Sequence, residues 1–367
     1  MDFSFTQEQE MLRDGVSKYL EKSYDFDTRQ KVVRGAEAWS GEAWQQFAEF
    51  GLLALPFAES QGGLGGTISD CMAVAELLGE HLSVEPFATT IMLAGAALAA
   101  SDSARAGRWL ERVIAGEASA AFAYEEGSGT ANPDMIRLTA TASADGFSLT
   151  GEKRLVIAGG EADIVVVAAR LGDNGPLALL LVEGNAEGIE RRTYTTIDGR
   201  RAANIAFNAV AIADDCVLHR DAGDTLTRII NHAIITQCAE AVGAMGALLD
   251  ITGEYAGTRK QFGVPIGTFQ AVAHRLADMK IAYNKARATL VYTTALAQSG
   301  AATQRDIAIL KGQTGKLGRA IGEAAIQTHG GVGMTDELSV SHYHKRLLAI
   351  DAQFGAHDYH LRMLGQP

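Results

Sequence analysis

The sequence predicts an α+β chain in three parts: a helical N-terminal domain over residues 1–117, a central antiparallel β-barrel or sandwich over 118–220, and a C-terminal four-helix bundle over 221–367. Three observations predict it. Apolar residues recur at helical spacing through the first hundred-odd positions. Near Ser119 they give way to short β-branched runs separated by turn signals. From about Asp221 the helical spacing returns and holds to the end.

The first helix runs from Thr6 to Lys22, with Met11, Val16, Tyr19 and Leu20 on one side and Thr6 and Gln9 at capping-box spacing. GEAWQQFAEFGLLAL is a second amphipathic helix, followed by the loop Gly62-Gly63-Leu64-Gly65-Gly66. That loop looks like a dinucleotide fingerprint, but it follows no strand, so its glycines read as turn residues. Thr67 then caps a helix through ISDCMAVAELLGEHL, and Ala-rich helices continue to about Gly116. The central part holds seven strand-like segments, from ASAAFAY to ANIAFNAVAI, with hairpin connections at Ala144-Asp145-Gly146 and Gly172-Asp173-Asn174-Gly175. In the last part the helical pattern breaks near Gly263–Gly267, Ser299–Thr303 and Gly330–Thr335, which leaves four long helices. The stretch from His232 to Leu249 is apolar or small on nearly all sides apart from Gln237 and Glu240. A helix of that kind is a buried one, and a second subunit could bury it, together with the Ala/Gly-rich Gly315–Gln327.

Composition excludes several classes of function. The 367 residues are 47% hydrophobic, which is enough for ordinary cores and too much for disorder. With 32 Lys+Arg against 44 Asp+Glu the net charge is −12, and no basic stripe suggests a nucleic-acid partner. Cys71, Cys216 and Cys238 are widely spaced, show no metal-ligand pattern and fit a reducing compartment. The N-terminus is acidic where a signal peptide is basic, and no stretch reads as a membrane span. The expectation is a soluble, cytoplasmic, metal-free protein.

Two segments carry chemistry. Gly257-Thr258-Arg259-Lys260-Gln261-Phe262-Gly263 sets two cations beside an aromatic ring. Arg offers a planar fork of donors suited to a pyrophosphate, and Phe can cover a flat heterocycle. The alternative is a helix C-terminus whose cations complement the dipole, with Gly263 as the stop. Gln327-Thr328-His329-Gly330-Gly331-Val332-Gly333 closes another helix with three glycines, which either admit a ligand to the backbone or form an ordinary cap and turn.

Taken together, TRKQFGVPIGTFQAVAHRLADM and QTHGGVGM resemble the acyl-CoA dehydrogenase family, and the α–β–α order, the LPFAESQGGLGG loop and the chain length are in register with it. CAEAVGAMGAL and the ending HYHKRL…FGAHDYHL are most similar to the small subunit of pimeloyl-CoA dehydrogenase and similar two-subunit relatives. The resemblance implies an FAD enzyme that desaturates an acyl-CoA thioester between its α- and β-carbons and passes electrons to an electron-transfer flavoprotein or similar acceptor. It implies a homodimer, a tetramer, or a heteromer with a homologous larger subunit. Carried over residue by residue, Arg259 and Phe262 contact the pyrophosphate and adenine side of a neighbouring subunit's FAD. Gln270 helps hold the FAD, and Gln327, Gly330 and Gly331 line the dinucleotide from the bundle. The implied alternatives are a non-catalytic structural partner subunit and a related flavin oxidase.

The sequence departs from the family at three places. The glutamate that serves as base in single-subunit members corresponds to Phe354, before Gly355. The second family position, about seven turns before Arg259, is Ala233. The segments that present hydroxyls to the flavin read Tyr124-Glu125-Glu126 in place of Thr-Glu-Pro and Leu155-Val156-Ile157 in place of Trp-Ile-Thr. Glu240, the one charged residue between His232 and Asp250, is then the candidate base. It lies on the face of Ala233 but two turns, about 11 Å, away. The competing reading pairs it with a cation such as Arg275 or His274. Glu125, near the flavin-contact segment, is a second candidate.

Overall fold

Thr6 begins the first helix as its spacing predicts. Its hydroxyl accepts from the Gln9 amide at 3.2 Å, and its own amide donates to the Gln9 side chain at 3.0 Å. The structure, a computed structural model, describes residues 6–127, 129–130 and 132–365. The first five residues of the acidic N-terminus, Ser128 of the FAYEEGSG segment, Ala131 and the last two residues lie outside it. Helices α1 (Gln7–Ser23), α2 (Phe26–Arg34), α3 (Gly41–Glu49) and α4 (Ile68–Glu80) follow, then a π-helix (Phe87–Gly95), α5 (Ala96–Ala99) and α6 (Ala104–Ile114). Thr67 caps α4 and receives Asp70 in return: the Asp70 carboxylate accepts from the Thr67 amide at 2.6 Å. The glycine loop before it is no phosphate cradle. Its amides are spent on its own chain, Gly65 donating to Phe57 O and Gly66 to Leu55 O, both at 2.8 Å.

The β region forms β1 (Ala120–Ala123), β2 (Thr139–Ser143), β3 (Gly146–Ile157), β4 (Ile164–Leu171), β5 (Leu177–Glu183), β6 (Ile189–Thr195), β7 (Arg201–Ala213) and β8 (Val217–His219). These build one eight-stranded sheet in the order β6-β7-β3-β2-β4-β5-β8, with β1 also on β4. The central β region forms as expected between the two helical parts, mostly antiparallel but not as a closed barrel. The sheet is not closed, and β4 pairs parallel with both β1 and β2. The apolar run Ile164–Ala169 is buried throughout, the pattern of a strand covered on both faces. Both expected hairpins are present, β2–β3 turning at Ala144-Asp145 and β4–β5 at Gly172–Gly175.

The remaining elements are α7 (Gly223–Thr258), a small hairpin of β9 (Lys260–Gln261) and β10 (Val264–Pro265), α8 (Gln270–Gln298), α9 (Gln304–His329), α10 (Ser339–Ala352) and α11 (His357–Leu364). The backbone divides into two compact units that draw on separated segments. One takes the chain up to Arg29, Met72–Ser83 and Ile234 onward; the other takes Gln30–Cys71 and Val84–Ala233.

Within the first unit, α7 corrects an expectation. Helix α7 is long and apolar enough to cross a membrane, but its apolar stretch is mostly buried, and residues 234–245 are all buried by this chain alone. No second chain is needed to cover them. Small residues let α4 approach closely: a Cβ at Gly79 would strike the Glu240 backbone, and one at Gly243 the Glu76 backbone. The Gly315–Gln327 stripe is likewise consumed internally, Gly318 facing Met245 and Leu347, and Gly322 facing His344. The bare helix is α8 instead. Of its 29 residues, Met279, Ala286, Leu290, Thr293 and Thr294 are buried, while Ile281 and Tyr292 stand 52% and 55% exposed.

Candidate functional site

Helix α7 ends at Thr258, one residue before Arg259, and the chain turns at once into the β9–β10 hairpin. Gly263 is therefore not the helix stop expected from sequence. It shares with Phe262 the two-residue hairpin turn, at φ +84° and +52°. Two positive φ values in succession suit the twist of a tight hairpin, but a phenylalanine in the first is strained. The Phe262 ring stands out from the chain, 95% exposed, with an edge contact to Phe269 at 6.2 Å. The Arg259 backbone is fixed by its amide to Tyr255 O and by Ile266 N to its carbonyl, both 2.8 Å. Its side chain is exposed and makes no salt bridge or hydrogen bond among the described residues. Gln270 opens α8 nearby in sequence, also exposed.

The glycine segment lies at the same end of the unit. The Tyr255 ring, one turn before Arg259, stacks on His329 with centroids 4.3 Å apart, and its hydroxyl reaches His329 O at 3.5 Å. Gly330 then ends α9 at φ +67°. Gly331 needs no positive φ, and a Cβ there would meet nothing within 4 Å. Nothing in the chain itself demands glycine at 331. Gln327, Gly330 and Gly331 are all exposed. One chain thus carries both segments at the same end, joined through the Tyr255–His329 stack, with Arg259, Phe262, Gln327, Gly330 and Gly331 all exposed on its surface.

Glu240 does not join that surface. Both its oxygens are taken by Arg346 of α10, from Nε and Nη2 at 2.7 Å each, with side chains 3% and 6% exposed. The pairing reading holds, but the cation is Arg346 and not Arg275 or His274, both of which sit on the mostly exposed α8. A carboxylate held bidentate in a buried pair is unsuited to proton removal. Arg346 was missed because it lies 106 residues away; the signal was there, since it interrupts the buried stripe Tyr343, Leu347, Ile350.

Glu125 is also engaged. Its Oε1 accepts from the amides of Glu126, Gly127 and Gly129 at 3.0, 2.7 and 3.1 Å. Glu126 meets buried Lys153 at 2.6 Å and accepts from the Leu138 and Arg137 amides. Burial alone would raise the Glu126 carboxyl, but Lys153 and the two amides bring it below its usual range, while burial pushes Lys153 down to about 8. The two carboxylates thus hold the loop after β1 by its own amides, leaving neither as a base.

Of the two family base positions, Ala233 is fully buried, and Phe354 is half-buried in the turn between α10 and α11 at φ +55°. That turn is clamped from beneath. Buried Lys311 donates to Asp351 O at 2.8 Å and Gly355 O at 3.0 Å, and His360 Nε2 meets Phe354 O at 2.9 Å. His360 Nδ1 is buried with no hydrogen-bond partner among the described residues. Burial accordingly holds this imidazole neutral down to about pH 4. Unfolded His360 takes its proton near 6.5, so between those values the unfolded state binds more protons, and stability falls as pH falls. Each tenfold difference in proton affinity between the folded and unfolded imidazole is worth about 1.4 kcal/mol, which makes the loss roughly a few kcal/mol. The stability from urea unfolding is expected to fall between pH 7 and 4 accordingly, and to fall less in His360→Gln; an unchanged pH dependence of stability in the variant contradicts the assignment.

The N-terminal domain model of the acyl-CoA dehydrogenases matches residues 6–117, and their C-terminal domain model matches residues 223–366. The chain belongs to the acyl-CoA dehydrogenase family. That family comprises FAD-dependent oxidoreductases acting on CH–CH groups. Similar curated proteins include benzylmalonyl-CoA dehydrogenase of Aromatoleum aromaticum, 28% identical over 80% of each chain. Acyl-CoA dehydrogenase FadE27 of Mycobacterium tuberculosis is 25% identical over 100% of this chain and 98% of its own. Among solved structures, the ChsE4–ChsE5 complex from Mycobacterium tuberculosis aligns with TM-score 0.91 at 25% identity, over 100% of this chain and 98% of that one. PigA, solved with FAD and proline, aligns with TM-score 0.90 at 23% identity, over the same shares. Within this acyl-CoA dehydrogenase chain the residues at the exposed end of the bundle fit the dinucleotide of FAD. Leu155-Val156-Ile157 and Tyr124-Glu125-Glu126 carry no aliphatic hydroxyl.

Proposed function

We propose that this chain holds FAD at a subunit interface and acts on an acyl-CoA thioester as one component of an acyl-CoA dehydrogenase, with a homologous second subunit completing α-proton removal. The observation that carries this reading is the strained, exposed hairpin that presents Phe262 and Arg259 to solvent. An aromatic ring 95% exposed at a positive φ serves no packing purpose within one chain. Arg259 would bind the pyrophosphate through charge-assisted hydrogen bonds, Phe262 would cover the adenine side, and Gln327, Gly330 and Gly331 would line the dinucleotide. Bound FAD supplies the hydride acceptor for the β-carbon. The chain's own residues bind and orient; none of Glu240, Glu125, Ala233 or Phe354 offers a free base. The apolar residues left exposed on α8 supply the surface on which a second subunit would sit. An electron-transfer flavoprotein or similar carrier is the expected acceptor.

The absent bases support a second reading, a non-catalytic partner that shapes a homologue's site. The visible spectrum of the purified chain, followed by bleaching with acyl-CoA, separates the two. A flavin spectrum that bleaches supports the first reading. A folded, colourless oligomer with no affinity for added FAD rejects it. Arg259→Ala is expected to weaken FAD binding about ten- to hundred-fold, the worth of one charge-assisted contact, with the melting curve of the FAD-free chain unchanged. Fluorescence titration of FAD measures it.

A further inference from the structure

The ring of His329 joins two stretches of chain that sequence keeps far apart. Tyr255, in the last turn of α7, lies 74 residues before His329, the last residue of α9. Their rings nevertheless stack, with centroids 4.3 Å apart and planes 24° apart. The His329 side chain is held from its own helix as well. Its Nδ1 lies 2.9 Å from Ala325 O, one turn back, and because a carbonyl can only accept, Nδ1 carries the hydrogen. With His329 only 5% exposed, the ring supports the exposed end of the bundle without being part of its surface.

Each of the two exposed segments is tied to this pair by its own backbone. On the α7 side the Arg259 amide donates to Tyr255 O and the Ile266 amide to Arg259 O, both at 2.8 Å, so the base of the β9–β10 hairpin hangs on Tyr255. On the α9 side the Tyr255 hydroxyl reaches the His329 carbonyl, on the peptide that enters the glycine turn, at 3.5 Å. The turn then folds back onto the same residue. A Cβ at Gly333 would lie 2.8 Å from His329 Cβ, closer than such atoms come, so His329 is what requires glycine at 333. Gly330 is set by its φ of +67° and Gly333 by His329, which leaves the exposed backbone of Gly331 between two fixed points. A ligand that spans the hairpin and this turn gains fully from the second contact only if the first already places it there. Rigidly joined contacts act at a high effective concentration, which a loose joint forfeits.

We propose that His329 is a positioning residue for FAD: its ring, stacked by Tyr255 and enclosed by the turn at Gly333, holds the β9–β10 hairpin in register with the Gly330–Gly331 backbone so that both engage one dinucleotide. The inference rests on the FAD reading above and adds to it two residues, His329 and Tyr255, that act through their neighbours.

The test is a double-mutant cycle on FAD affinity, read by fluorescence titration of the whole FAD-free chain in its assembled state. ADP is the second probe, because it carries the pyrophosphate and adenosine without the flavin. His329→Ala is expected to weaken FAD and ADP by the same factor, at least about ten-fold. In that background Arg259→Ala should cost less than about three-fold, against the ten- to hundred-fold expected in the parent, because the guanidinium no longer meets the phosphates from a fixed place. His329→Phe keeps a ring for Tyr255 and should recover most of the affinity. Tyr255→Leu should repeat the loss, and since Tyr255 is half-buried it carries the cycle if His329→Ala fails to fold. A folded variant that has lost the stack yet binds FAD as the parent does overturns the proposal and leaves the FAD reading intact. So do losses from His329→Ala and Arg259→Ala that simply add, or a loss for FAD with none for ADP. A parent chain that does not bind FAD removes that reading and this one with it.

Discussion

Arg346→Met is expected to cost about 3–5 kcal/mol of folding stability, the range for removing one partner of a buried ion pair. The guanidinium takes both Glu240 oxygens at 2.7 Å, and neither side chain has appreciable solvent. Its loss leaves a carboxylate in α7 where every neighbour along the helix from Ile234 to Met245 is buried. Burying both charges is itself costly, so replacing the pair together with apolar residues of similar volume removes most of the penalty. The expectation is therefore asymmetric: Arg346→Met strongly destabilised, Glu240→Leu/Arg346→Met close to the parent. Urea unfolding at matched m-values measures both. A single-variant loss below about 1 kcal/mol, the value of an exposed pair, would mean that water reaches Glu240. Glu240→Gln should likewise lose stability, with no specific loss of turnover.

The sequence carried the local structure well because its signals were local. The Thr6 and Thr67 caps, the Ala144-Asp145 turn and the three breaks in the last third each depend on a few adjacent residues. Features that depend on distant chain were lost. The partner of Glu240 is set by the docking of α10 on α7, and the parallel pairing of β4 with β1 and β2 by topology. Strand β8 has three residues, too few to establish a period. The apolar perimeter of α7 announced burial but could not name what buries it, and the structure supplies α4, α9 and α10 from the same chain.

The proposed dinucleotide surface was legible in part for the same reason. Arg259, Phe262, Gln327, Gly330 and Gly331 could be singled out by type and spacing, while their arrangement could not. Gly263 is a positive-φ glycine under either the helix-stop or the hairpin reading, and two-residue strands leave no alternation to tell them apart. Only the stacking of Tyr255 on His329 places both segments at one end of one chain.

Phe354→Glu in the FAD-loaded chain is expected to raise acyl-CoA turnover by about 10²-fold or more, because a positioned general base contributes roughly 10²–10⁴. The prediction rests on the proposed reaction and on how the turn is built. The Phe354 carbonyl is held by His360, and the Asp351 and Gly355 carbonyls by Lys311, so the frame does not depend on the side chain at 354. Phenylalanine already accepts φ +55° there, and glutamate carries no greater backbone penalty. The position is half-buried, which admits a carboxylate without full desolvation. Ala233→Glu is the contrasting case. Ala233 is small and fully buried, so a glutamate there is both overpacked and unpaired, and the expected result is loss of folded protein. Single-turnover bleaching of the flavin by acyl-CoA measures the gain. A Phe354→Glu chain that binds FAD and acyl-CoA as the parent does, yet bleaches no faster, would place the site of proton removal elsewhere than at this turn.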